Sequence, residues 1–176
     1  MRKAVFLDRD GTLMVDAGYC ARPEDVRLLP GVQTGLARLR SAGLTLVIVT
    51  NQSGLGRGYF DEAAFWRVQD AFEAQLGSKF IDAVYFCPDH PARPSSRRKP
   101  GPGMLLEAAR DLGLNLRESY LLGDKETDVE AGLAAGVKLC GLVFSPREKY
   151  DGNDRVFVAD NFTKAVDRIV RDLDLL

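Results

Sequence analysis

The chain has 176 residues, of which 45% are hydrophobic and 28% charged, with a formal net charge of −1. That composition suits one ordinary globular domain with a sizeable core, and its neutral balance argues against a nucleic-acid binder, which normally carries a basic surfeit. No apolar run approaches the roughly 18 residues that a membrane span needs, so no membrane partner is expected.

The chain opens on Ala4-Val5-Phe6-Leu7, an apolar run that ends abruptly in Asp8-Arg9-Asp10-Gly11-Thr12. A short apolar run bounded by turn chemistry predicts a buried strand. Two residues apart in extended backbone, the Asp8 and Asp10 side chains face one small volume. Acids so placed repel unless a cation or a shared proton sits between them. By themselves these residues fit equally well an ordinary strand followed by an Asp/Gly turn. The run is too short for a signal peptide. Residues 14–30 follow as a long irregular connection holding Asp16, Gly18 and Tyr19, and connections of that length in compact domains are often functional.

Pro30-Gly31 introduces a helical stripe of Val32, Leu36 and Leu39, stopped by Gly43. A β-branched run over 44–49 ends in Thr50-Asn51-Gln52-Ser53. Asp61 is placed to cap a helix whose stripe is Phe65, Val68, Phe72 and Leu76. Residues 81–86 predict a third strand, followed by Cys87 and a loop rich in proline and arginine through Pro102. Leu105, Leu106, Ala109 and Leu112 predict a helix ending at Gly113. A short strand over 120–122 runs into Gly123-Asp124-Lys125, and a helix over 129–135 stops at Gly136. A fifth strand is predicted over 137–144, and Phe162, Val166, Ile169 and Leu173 mark a closing helix. Cys20, Cys87 and Cys140 are an odd, scattered set, which suits reduced thiols in a cytoplasmic protein.

Strands apolar on both faces and alternating with helices predict an α/β fold, a mostly parallel sheet covered on both sides. Ligands of such sheets bind outside the carboxyl ends of the strands. Asp8, Asp10, Thr50, Asn51, Lys99 and Asp124 are therefore expected to converge. If they do, three carboxylates call for a hard divalent cation such as Mg²⁺. A lysine, a hydroxyl and loop amides would meet an anionic oxygen, which is the equipment of phosphoryl transfer. The single histidine, His90, has no accompanying serine motif, and no Walker-type phosphate loop occurs.

Four ordered stretches carry a family resemblance: Phe6-Leu7-Asp8-Arg9-Asp10-Gly11-Thr12, Val49-Thr50-Asn51-Gln52, Arg98-Lys99-Pro100, and Gly123-Asp124-Lys125-Glu126-Thr127-Asp128. Together they resemble the motifs of the haloacid dehalogenase superfamily over about residues 4–145. The resemblance implies a Rossmann-like doubly wound sheet, with Asp8 as nucleophile and Asp10 as general acid and base. Thr50 and Lys99 would hold the transferring phosphoryl group. Mg²⁺ would be bound by Asp8, the backbone carbonyl of Asp10, and Asp124, with Asp128 in the outer shell. Neither usual insertion point leaves space for a large cap, and the length predicts a single domain over 1–176; no exposed apolar seam suggests an obligate dimer, so a monomer is expected.

Within the superfamily, Asp16-Ala17-Gly18-Tyr19, Thr50 through Gly58 and Arg98 through Met104 are similar to the heptose 1,7-bisphosphate phosphatases, which release the 7-phosphate in the making of nucleotide-activated heptose for lipopolysaccharide. Histidinol-phosphate phosphatases are the alternative. They share the Thr-Asn-Gln and Arg-Lys-Pro steps but typically carry an acid where Ser53 stands. The resemblance implies a small sugar phosphate as partner, met by Asp16, Gly18, Tyr19, Asn51, Gln52, Ser53, Arg57, Arg98 and Lys125. Both families commonly hold structural zinc. Here Asp89 stands where a histidine ligand is expected, and Ser95-Ser96-Arg97 replaces the cysteine pair, so no zinc is expected. A receiver-type phospho-accepting module is a different class with similar residues, but it needs an aspartate at the third strand's end, where Cys87 sits.

Overall fold

The structure, a computed structural model, describes residues 1–144, 150 and 152–174. Six strands form one sheet in the order β3-β2-β1-β4-β5-β6, with every pairing parallel. They are β1 (Ala4–Leu7), β2 (Thr45–Asn51), β3 (Ala83–Cys87), β4 (Tyr120–Gly123), β5 (Leu139–Val143) and β6 (Val156–Ala159). The helices are α1 (Val32–Ser41), α2 (Ser53–Gly56), α3 (Glu62–Leu76), α4 (Gly103–Leu112), α5 (Glu126–Ala135) and α6 (Phe162–Asp174).

The pleat divides the core in two. Val5, Leu7, Leu46, Ile48, Tyr120 and Leu122 face one apolar cluster together with α1, α3 and α6. Ala4, Phe6, Val47, Val49 and Leu121 face the other with α4 and α5. Because side chains alternate along a strand, the residue types just past each strand end inherit a side. Asp8 emerges toward α4 and α5, and Arg9 toward α3. The strand order reverses between β1 and β4, the place where doubly wound sheets open a crevice at their carboxyl edge. No described helix is long and apolar enough to cross a membrane.

Several elements differ from the sequence expectation. The strand β6 is additional; it is only four residues long and pairs with β5 at the sheet edge. The short helix α2 is likewise additional. On α4 the buried residues are Met104, Leu105 and Ala108, and Leu106 is exposed. Asp61 does cap α3, its Oδ1 accepting the Ala64 N–H at 2.8 Å. The three cysteines are buried and free.

Candidate active site

Directly after β1 the chain turns on itself. The Arg9 carbonyl accepts the N–H groups of Leu13 and Met14 at 2.9 and 3.1 Å, and Gly11 donates to the Met14 carbonyl. Gly11 has φ of +90° and its Cα lies against the Asp124 carboxylate, so a Cβ here would collide with that acid. Only glycine tolerates both demands. Thr12 Oγ1 donates to Asp124 Oδ1 at 3.2 Å, tying the β1 turn to the end of β4.

Lys99 is the hub. Its side chain is 2% exposed, and its ammonium donates to Asp8 Oδ1 at 2.7 Å and to the Val49 carbonyl at 2.8 Å. It also pairs with Asp128 Oδ1 at 2.5 Å. An ammonium has three protons, so all are engaged. Asn51 clamps the Lys99 backbone from both sides: its Nδ2 donates to the Lys99 carbonyl at 3.0 Å, and its Oδ1 accepts the Lys99 N–H at 3.1 Å. Asp128 Oδ2 accepts the Lys125 N–H at 3.0 Å, which fixes the start of α5.

One carboxylate oxygen from each of Asp8, Asp124 and Asp128 lies within 4.8 Å of the others. Burial raises Asp8 well above the usual carboxylate range; Lys99 opposes that rise, and the neighbouring Asp128 and Asp124 add to it. Asp124 is raised by burial, with Asp128 adding and Lys125 opposing. Burial disfavours the Lys99 ammonium, but Asp128 and Asp8 more than compensate and hold its pKa above the ordinary value. The acids outnumber the single cation among them, which is the charge balance a hard divalent ion corrects. The oxygen-only donor set fits Mg²⁺.

Beside this hub opens a cavity of about 450 Å³, lined by Asp10, Asp16, Gly18, Tyr19, Asn51, Gln52, Ser53, Gly54, Arg98, Lys99, Lys125 and Thr127. Asp16, Gly18, Tyr19, Arg98 and Lys125 thus meet around one space. Asp16 Oδ1 accepts the Gly18 N–H and its Oδ2 pairs with Lys125 at 3.2 Å. Arg98 donates to the Asp89 carbonyl. Arg57 caps the end of α2, is exposed, and does not line the cavity. Gln52 is buried; its Nε2 donates to Asp10 Oδ2 at 2.8 Å and to Thr50 Oγ1 at 2.9 Å.

Sequence reasoning passed over Arg9. Its side chain is fully buried, with Nε 3.1 Å from Asp10 Oδ2, Nη1 3.4 Å from Gln69 Oε1, and its guanidinium 5.0 Å from the Phe65 ring. The signal was its position: between two site acids in a buried strand's register, an arginine has to point under the neighbouring helix.

A family model described as haloacid dehalogenase-like hydrolase matches residues 16–136. The D-glycero-beta-D-manno-heptose-1,7-bisphosphate 7-phosphatase of Haemophilus ducreyi is 40% identical, covering 81% of this chain and 83% of its own. The alpha-heptose counterpart from Burkholderia mallei is 42% identical over 77% of this chain and 76% of its own. The crystal structure of D,D-heptose 1,7-bisphosphate phosphatase from B. bronchiseptica, complexed with magnesium and phosphate, superposes with a TM-score of 0.86 at 30% identity, covering 97% of this chain and 99% of that one. The motif order, the parallel sheet and these matches lead to one conclusion: the chain belongs to the haloacid dehalogenase-like hydrolases.

Proposed function

We propose that this chain is a magnesium-dependent phosphatase that removes the 7-phosphate of heptose 1,7-bisphosphate through an aspartyl-phosphate on Asp8. The observation that carries the mechanism is the buried Asp8–Lys99–Asp128 group at the edge of a cavity that Asp10 also lines. Asp8 attacks phosphorus, and Asp10 protonates the departing sugar oxygen and later takes a proton from water. Thr50 holds the phosphoryl oxygens together with Lys99, whose ammonium exchanges one of its three present contacts for the substrate, and Asn51 keeps Lys99 in register. Asp8, Asp124 and the Asp10 carbonyl would hold Mg²⁺, with Asp128 behind them. When bound, the ion supplies positive charge for the phosphoryl oxygens. The remainder of the sugar bisphosphate lies along Asp16, Gly18, Tyr19, Asn51, Gln52, Ser53, Arg98 and Lys125, and Arg57 reaches it from outside the cavity.

The heptose assignment rests on the names of the relatives; it puts the chain in the supply of nucleotide-activated heptose for lipopolysaccharide. The same reading takes residues 1–176 as one monomeric, cytoplasmic unit. It also takes the loop after β3 as free of zinc. There the Asp89 carboxylate accepts the Ser95 N–H at 2.6 Å, and His90 Nδ1 accepts the Ala92 N–H at 3.1 Å. One oxygen of Asp89 and one ring nitrogen of His90 are thus taken up by the loop's own turns. Stoichiometric zinc by elemental analysis would overturn that part.

The deciding experiment measures phosphate release, with Mg²⁺ and after chelation, over both anomers of heptose 1,7-bisphosphate, histidinol phosphate and common sugar phosphates. The highest kcat/KM is expected on a heptose bisphosphate, with activity abolished by chelation and restored by Mg²⁺. Preference for histidinol phosphate would refute the substrate and leave the chemistry standing. Near-full activity of Asp8→Asn would refute the nucleophile.

A further inference from the structure

We propose that Arg9 and Gln52 are positioning residues that select which oxygen of Asp10 carries the working proton. Both donate to the same atom: Arg9 Nε to Oδ2 at 3.1 Å and Gln52 Nε2 to Oδ2 at 2.8 Å. A carboxylate oxygen holding two donors has no lone pair left for a proton, and a guanidinium does not give its protons up. Among the described residues no donor reaches Oδ1. The proton is therefore confined to Oδ1, and rotation of the carboxyl, which would exchange the two oxygens, is blocked from both sides.

The setting of Arg9 supports this role over a structural one. Its side chain is fully buried, and its Nη2 finds no hydrogen-bond partner among the described residues. A buried guanidinium with an orphaned nitrogen is a poor choice for stability, since a well-packed apolar side chain of similar volume is commonly as good or better. What the arginine gains is a rigid mount. Gln69, 1% exposed on α3, and the Phe65 ring hold the far end of the guanidinium, so a long helix braces a single carboxylate oxygen. Gln52 links the same oxygen to Thr50, so acid and phosphoryl-holding hydroxyl move as one.

The inference rests on the assignment of Asp10 as proton donor. In the first step an Asp8 oxygen bonds to phosphorus, the bond from phosphorus to the sugar oxygen breaks, and that oxygen takes the proton from Asp10 Oδ1. In the second, Oδ1 takes a proton from water, the water oxygen bonds to phosphorus, and the bond to Asp8 breaks to release inorganic phosphate.

The test compares Arg9→Met and Gln52→Met with Asp10→Asn on heptose 1,7-bisphosphate and on p-nitrophenyl phosphate, whose leaving group needs no proton. A misplaced donor slows both steps on the sugar substrate by about 10²-fold or more. On the aryl phosphate only the second step is slowed, so a burst of about one nitrophenol per active site precedes slow turnover. Equal losses on both substrates without a burst, or unchanged rates in folded variants, overturn the proposal. If Asp10→Asn bursts and the two variants do not, the proposal alone fails. If Asp10→Asn itself turns over both substrates without a burst, the underlying assignment of Asp10 fails. Should Arg9→Met prove too unstable to purify, Gln52→Met decides, because it leaves the contact between Arg9 and α3 intact.

Discussion

Replacing Asn51 by alanine isolates the role of the clamp on Lys99. The substitution deletes two hydrogen bonds, at 3.0 and 3.1 Å, and leaves the N–H and C=O of Lys99 without those partners. Two bonds of about 1 kcal/mol each, plus the cost of orphaned groups beside a residue only 3% exposed, give about 2–4 kcal/mol of destabilisation. For a domain of this size that is a Tm lower by roughly 5–15 °C. The catalytic consequence is larger. The ammonium is held at Asp8 by the path of its own backbone, and a shift of about 1 Å in a catalytic group costs about 10²-fold. The loss should fall more on kcat than on KM, because Asn51 is one of twelve residues lining the cavity and the others are unchanged. Thermal unfolding and steady-state kinetics on heptose 1,7-bisphosphate at saturating Mg²⁺ read both quantities. A variant within about twofold of the parent kcat and with an unchanged Tm would refute the clamp.

Gly11→Ala should destabilise by at least about 1 kcal/mol from its positive φ. Its Cβ should also displace the Asp124 carboxylate and raise the Mg²⁺ concentration giving half-maximal rate; an unchanged Mg²⁺ titration would contradict that contact. Asp172 tests the ties of α6. Burial raises its carboxyl, but Lys138 at 2.6 Å and the Tyr120 hydroxyl at 2.8 Å pull it net below the usual range. A depressed folded value means the unfolded chain binds the proton more readily. The contribution is therefore complete above the ordinary carboxylate value and lost as pH falls through the folded one. Asp172→Asn should cost about 2 kcal/mol at pH 7, with the gap to the parent closing below about pH 4. A gap independent of pH would show that charge plays no part.

The sheet and the meeting point of the motifs were legible because both leave coarse marks. Residues 44–49 and 4–7 are continuous apolar runs that can only be buried on both faces, and each breaks off in polar residues at its carboxyl end. The strand Val156–Ala159 was not legible: four residues at an edge, two of them only partly buried, carry too little pattern. The α4 stripe was out of phase because Leu106 is apolar yet exposed, and Met104 and Ala108 take the core positions. Within the site, the residue types and their order pointed to the chemistry, but not to which polar atom meets which. Gln52 reads as a substrate contact from its place after β2, and the sequence does not disclose that its amide also engages Asp10 and Thr50. Asn51 reads the same way, and its hold on the Lys99 backbone is equally invisible in the sequence. Alternation gives the side on which a residue leaves its strand but not the atom it meets there, so such partnerships depend on turns that only the folded chain specifies.

The threefold engagement of the Lys99 ammonium has a consequence for how the protein is made. Asp8 and Asp128 are buried in a chain that has to fold before any ion can be captured between its loops. A tethered ammonium already at 2.7 and 2.5 Å from them acts as resident counter-charge, so assembly of the core need not wait for metal. The polypeptide should fold in the absence of divalent ions. Chelation should therefore silence the protein without unfolding it.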